Sequence, residues 1–313
     1  MRLLLPALAI FALALGFSCA SAGDAPPHFE PIPRPSVSEA KPVDLPGLHN
    51  VVAYTDTMMS GSQPEHGGLE TLAAMGIKTI ISVDGAQPEV EAAQRLGMRY
   101  VHLPIGYDGI DDTRKLELAR AVRDLPGPVY VHCHHGKHRS AGAASAIGLS
   151  LGTLTHESAA ARMKVSGTAP DYKGLWACAS DTKLASTSQL DAASNAFPAR
   201  WKSTGLVQLM VDIDYAMENV KAVEKAQWGV PTEHPDLVPA AEVGRISHYL
   251  RELEDDAEVK ARGAEFVEHL RASRAAADKL EKSFLDKAAP DALAADMKKL
   301  TSSCKSCHVK FRD

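Results

Sequence analysis

From residue 48 onward the apolar positions fall into short runs bounded by Gly, Pro or charged residues, at 49–54, 78–83, 100–103 and 129–132. Between them lie stretches with apolar residues at helical spacing, 67–75, 89–96 and 112–125, and two more follow at 155–165 and 171–180. Runs of four to six apolar residues read as strands, and strands alternating with helices predict an α/β domain around a central, mostly parallel sheet. This domain is expected to span 48–180. The period changes after residue 204. Four helical stretches, 204–225, 239–253, 257–286 and 291–311, are separated by Pro231, Pro235, Asp255-Asp256 and Pro290. The first carries a stripe of Leu206, Met210, Ile213, Met217 and Val220, the third one of Val259, Phe266, Leu270, Ala277, Leu280 and Phe284. Such stripes predict an all-α, antiparallel four-helix bundle over 204–313. The stretch 180–201, rich in Ser, Ala and Asp, falls in the expected linker, 181–203. Residues 23–47 hold seven prolines and little periodicity, so an extended tether is expected there.

The first residues change the cellular setting. Arg2 precedes an apolar run over 3–17 and then Ala20-Ser21-Ala22, so 1–22 reads as a cleaved signal peptide and the chain as an exported, periplasmic protein. The run is short for a membrane span. Acylation at Cys19 would make a lipoprotein, but Gly16-Phe17-Ser18 is a poor lipobox. With 34 basic against 39 acidic side chains there is no nucleic-acid signature. Five cysteines become four once the signal peptide leaves, and the motifs below claim all but Cys178, so no structural disulfide framework is expected.

The first motif is Val131-His132-Cys133-His134-His135-Gly136-Lys137-His138-Arg139-Ser140. An apolar strand runs into it and the small-residue helix Ser140-Ala141-Gly142-Ala143-Ala144 runs out. The loop therefore sits on a helix N-terminus, where unpaired N–H groups and the positive end of the macrodipole attract an anion. The same field favours a thiolate, which makes Cys133 a candidate nucleophile. Arg139 can hold two phosphoryl oxygens through its planar fork, and Gly136 supplies backbone freedom. His134, His135, Lys137 and His138 surround the cradle with donors suited to an anion, more than to a metal. A buried structural thiol at Cys133 is the plain alternative.

The pattern His132-Cys133, five residues, Arg139-Ser140 resembles the cysteine-dependent protein phosphatases, most closely the dual-specificity branch. That resemblance implies that Cys133 attacks phosphorus to form a cysteinyl-phosphate, Arg139 binds the transferring group, Ser140 stabilises the departing thiolate and His132 tunes Cys133. It also requires an acid on the loop Pro104-Ile105-Gly106-Tyr107-Asp108-Gly109-Ile110-Asp111-Asp112. Asp108 is favoured; Asp111 or Asp112 is expected to cap the next helix. Sulfurtransferases of rhodanese type also place a cysteine before a helix, but the five-residue spacing counts against them. Lys137 in Gly136-Lys137-His138-Arg139 resembles loops that handle polyanions such as inositol phosphates.

The second motif is Cys304-Lys305-Ser306-Cys307-His308, an attachment pattern for covalent c-type haem. Two thiols three positions apart can each bond a vinyl group, and the next histidine reaches the iron. Export supports this, as does the helical face Leu293, Met297, Leu300, Cys304, Cys307 and Phe311. A last helix ending this way resembles the class II c-type cytochromes, the cytochrome c′ group. That resemblance implies one haem c, His308 as axial ligand and a distal methionine, Met210 ahead of Met217, or an open distal face. It also makes a redox partner and a homodimer through the bundle plausible. His234, His248 and His269 are expected at the surface. The whole reads as an exported phosphomonoester hydrolase fused to a haem domain that regulates it or carries electrons. The alternative is a haem redox or gas-binding protein whose first domain is a non-catalytic phosphate- or partner-binding module.

Overall fold

The computed structural model describes residues 29–202, 205–232, 234–235 and 237–311; the signal-peptide reading of 1–22, with Cys19, lies outside them. The first half comprises β1 (Val43–Leu45), β2 (Leu48–Thr55), β3 (Met58–Ser62), α1 (Gly68–Ala74), β4 (Thr79–Ser82), α2 (Val90–Arg95), β5 (Arg99–His102), α3 (Asp112–Asp124), β6 (Val129–Cys133), α4 (Arg139–Ser150), α5 (His156–Val165) and α6 (Lys173–Ser180). The strands form one sheet in the order β1-β2-β3-β6-β4-β5. β3, β6, β4 and β5 run parallel, whereas β1 and β2 pair antiparallel. The sheet is thus mixed, because two hairpins extend the parallel core. Alternate side chains serve opposite faces. Val52, Ile81, Val101 and Val131 pack with α3–α6, and Val51, Ile80, Tyr100 and Tyr130 with α1 and α2.

The expected tether and linker are both seated on this body. Within 23–47, β1 joins the sheet, Ile32 N–H donates to the Ala74 carbonyl at 3.1 Å, and Arg162 donates to the Glu39 carbonyl at 2.9 Å. Between α6 and the bundle, α7 (Thr187–Ala192) starts with a capping box from Ser186 and Gln189. Leu190 and Phe197 are buried, and His102 N–H donates to the Pro198 carbonyl at 2.7 Å. Prolines limit hydrogen bonding within a segment but leave its carbonyls free to bond elsewhere.

The second half holds α8 (Leu206–Lys225), α9 (Pro239–Asp255), α10 (Ala257–Ala261), α11 (Ala264–Leu285) and α12 (Pro290–Phe311). The stretch 257–286 is two helices, because Gly263 takes a φ of +105° and breaks the run. Leu209, Ile213, Val220, Ile246, Leu250, Leu270, Leu280 and Leu300 form the helical core. Among the described residues no helix is long and apolar enough to cross a membrane.

α9 buries two faces. Val243, Ile246, Leu250 and Leu253 enter the helical core, while Ala240 and Ala241 join the core beneath the sheet. His248, expected at the surface, is buried, because the second face of α9 lies against the α/β unit; His234 is exposed and His269 half-buried.

Candidate active site and candidate haem-attachment helix

The cradle begins where β6 ends at Cys133 and finishes at Arg139, the first residue of α4. Gly136 takes a φ of +74°, and a Cβ there would stand 2.3 Å from the Gly61 carbonyl carbon. Only glycine lets the loop fold against β3 so closely. Asn50 holds it from the far side, its amide donating to the carbonyls of Gly136 at 3.0 Å and Ser166 at 2.9 Å. At the floor, Cys133 Sγ lies 3.4 Å from Ser140 Oγ, which Ser60 Oγ contacts at 3.0 Å. Cys133 is 3 % exposed.

His132 bonds the Tyr100 hydroxyl through Nε2 at 2.8 Å, and burial pushes its pKa down to about 4. Burial likewise lowers His134 to about 2, His135 to about 4 and His138 to about 3. These imidazoles are neutral at pH 7, so the buried positive charge of the cradle comes from Arg139, with Lys137 adding one at its exposed edge. His138 stacks on Tyr172 at 4.2 Å and its Nδ1 accepts from Ala169 N–H at 3.4 Å; Lys137 is exposed. Among the described residues no three His, Cys, Asp or Glu side chains gather closely enough to hold a metal ion.

Arg139 is 1 % exposed and fully engaged on one side. It donates to Asp84 Oδ1 at 2.8 Å and to His248 Nδ1 at 2.7 Å, and its guanidinium carbon lies 4.5 Å from the Tyr107 ring centre. A guanidinium can only donate, so Nδ1 of His248 must accept and the ring is neutral. Its lowered pKa, about 4 through burial, agrees. Arg251 reaches the same Asp84 oxygen at 3.1 Å. Burial alone would raise the Asp84 pKa, but Arg251 and Arg139 hold it well below the usual carboxylate range. His102 fixes the Asp84 backbone: its Nε2 donates to the Asp84 carbonyl at 2.8 Å while Nδ1 accepts from Trp201 N–H at 3.0 Å.

The structure brings His132, Cys133, Arg139 and Ser140 together. Asp108 sits on the neighbouring loop beside Tyr107, largely exposed, and pairs with Arg245. Asp111 caps α3 by accepting from Arg114 N–H at 2.9 Å, and Asp112 pairs with Lys115 at 3.0 Å. The sequence carries no motif at Asp84, Asn50, Arg245, Arg251 or Glu281, and it offers Tyr107 only as part of the acid loop and His248 only as a surface residue. Only one local signal was available for part of that set: Arg245, His248 and Arg251 recur at three-residue steps, which is one side of a helix.

At the far end of the chain, Cys304 and Cys307 lie one turn apart on α12, both free, with Cys307 buried and Cys304 packed against the helical core. Burial raises both thiols; Ser273 of α11 partly offsets this at Cys304. His308 is exposed beside them, and Phe311 meets Phe266 edge-on at 5.1 Å. Backbone packing runs from α8 to α9, α9 to α11 and α11 to α12, with no comparable approach between α12 and α8. Met210 is half-buried against this core and Met217 lies in it. Two free thiols one turn apart beside an exposed imidazole are the donor set that a covalent haem requires.

No protein-family model and no curated relative matches the chain. Among solved structures, P. aeruginosa TpbA aligns at 23 % identity over 50 % of this chain and 96 % of its own, with a TM-score of 0.39. A phosphatase described as putative, from Shewanella putrefaciens CN-32, aligns at 17 % over 44 % and 95 %, TM-score 0.37. Human DUSP28 aligns at 24 % over 46 % and 97 %, TM-score 0.35.

Proposed function

We propose that the chain is a cysteine-dependent phosphomonoester hydrolase joined to a c-type haem domain, exported through residues 1–22. The observation that carries the hydrolase reading is the floor of the cradle, with Cys133 Sγ 3.4 Å from Ser140 Oγ at the N-terminus of α4 and Arg139 as its first residue. In that reading the Cys133 thiolate attacks phosphorus in line as the ester P–O bond breaks, and Asp108 protonates the leaving oxygen. Asp108 then takes a proton from the water that attacks the cysteinyl-phosphate, and the Ser140 hydroxyl stabilises the departing thiolate. Arg139 and the α4 N–H groups hold the equatorial oxygens, which asks Arg139 to turn away from Asp84 and His248.

The haem would be held by Cys304, Cys307 and His308, with Met210, ahead of Met217, as a candidate further ligand. It would supply a redox-active or gas-binding iron. A product in the reaction of an aryl phosphate, lost in Cys133→Ser and blocked by vanadate, tests the hydrolase reading. A non-catalytic α/β unit serving a haem sensor is the second reading, favoured by the near-complete burial of Cys133 and Arg139.

A further inference from the structure

The side of α9 that faces the α/β unit runs along the cradle and its flanking loops from Gly244 to Asp255, about 12 residues or roughly 17 Å. At its start, Gly244 lies so near Tyr107 and Glu281 that a Cβ there would stand 3.0 Å from the Tyr107 ring and 2.9 Å from Glu281 Oε1. One residue on, Arg245 pairs with Asp108. His248 closes over Gly85, where an added Cβ would meet the imidazole at 2.7 Å, and accepts from Arg139. Arg251 binds Asp84, and Asp255 accepts from Gln87 N–H at 3.2 Å. Apart from Glu281, on α11, these partners belong to the cradle, its acid loop or the loop carrying Asp84. The nearby cleft of about 300 Å³ is lined by Gln63, His134, Arg251 and Arg274 among others, and Cys133 and Arg139 do not line it.

We propose that α9 is a built-in cap on the cradle, with Asp84 holding Arg139 in place of a phosphoryl group, and that the cap must lift before a phosphomonoester reaches Cys133. This rests on the hydrolase reading for its consequence, but not for its geometry. Asp84 offers Arg139 one carboxylate oxygen while its other oxygen has no hydrogen-bond partner, so the internal anion is a poorer match to the fork than a dianion with several oxygens. Substrate therefore competes for the same guanidinium with Asp84, which Arg251 of the cap steadies, and with His248 of the cap itself. Because apparent affinity scales with the fraction of open molecules, the closed state lowers kcat/KM without altering the catalytic groups.

The test is the alkylation rate of Cys133 by iodoacetamide in the haem-loaded full chain, resolved by peptide mass spectrometry, with buried Cys178 as internal reference. Gly244→Leu inserts a wedge against Tyr107, and Arg245→Glu turns an ion pair into a repulsion. Circular dichroism and haem absorbance establish that each is folded. Alkylation of Cys133, and aryl-phosphate kcat/KM with it, is expected to rise roughly 10-fold or more in either folded variant. Equal alkylation in parent and folded variants overturns the cap. Faster alkylation with no turnover in any of the three upholds the cap and removes the hydrolase reading instead.

Discussion

The guanidinium of Arg139 donates to the carboxylate of Asp84 across 2.8 Å, with both side chains sealed from solvent. Arg251 arrives at the same oxygen from α9, so one carboxylate ties the cradle to the helical half of the chain. Removing one partner of a buried pair leaves uncompensated charge. Asp84→Asn is expected to lower stability by about 3–5 kcal/mol at pH 7. The Asp84 pKa is depressed, so its contribution is present above the unfolded carboxylate value and is lost as pH falls through the folded one. The gap between wild type and variant in urea unfolding should therefore narrow in acid. A gap independent of pH would mean that the carboxylate's charge is not what matters.

Glu281 makes the opposite prediction. Burial raises its pKa to about 7; Arg251 and Arg139 pull against this, and Asp278 and Asp84 reinforce it. Between about pH 4.5, the unfolded value, and about 7 the native state binds more protons, so stability falls as pH rises through that window. Glu281→Gln cannot ionise and escapes the loss. Its stability relative to wild type should improve from pH 5 to pH 8 by on the order of 1–3 kcal/mol, read from urea midpoints. Parallel pH profiles would place the carboxyl in contact with solvent.

Asp108→Asn should slow hydrolysis of esters with poor leaving groups far more than of aryl phosphates with good ones, because only the former need a proton. A loss of roughly 10²–10⁴-fold is expected for the poor leaving groups. Rates across a series of substituted phenyl phosphates decide it; equal losses along the series would move the acid to Asp111 or Asp112.

Expression with cytochrome maturation should add one haem, seen as a mass increment that survives denaturation. The increment should vanish in Cys304→Ala/Cys307→Ala. Met210→Ala should shift the ferric spectrum from low to high spin if its sulfur binds iron; an unchanged spectrum returns Met210 to packing. On α11, Ser273 at the Cys304 end and Asp278 beside Arg251 are five residues apart, about 7.5 Å along the helix. A haem bound at Cys304 would thus lie one short helical segment from the cap. Turnover should differ between ferric, ferrous and carbon monoxide-bound protein; identical rates would leave the haem as a separate module.

Much of the fold was legible because four strands and the long helices carry clean periodicity. β3 was not: Met58-Met59-Ser60-Gly61-Ser62 has no alternation, yet all five residues are buried in mid-sheet. The cradle could be read from one contiguous motif. The groups that hold it shut could not, since Asp84 and Arg251 are 167 positions apart and neither has a local signature. His248 was misplaced for the same reason: a lone histidine on an amphipathic helix looks solvated until a second unit covers that face.

The central claim is that Cys133 is a phosphoryl-accepting nucleophile. Rapid acid quenching of the Asp108→Asn variant during turnover of an aryl phosphate, followed by peptide mass spectrometry, tests it most directly. The account predicts phosphate on the Cys133 peptide, absent from Cys133→Ser. Aryl-phosphate hydrolysis that persists in Cys133→Ser with no phosphorylated Cys133 peptide would contradict it.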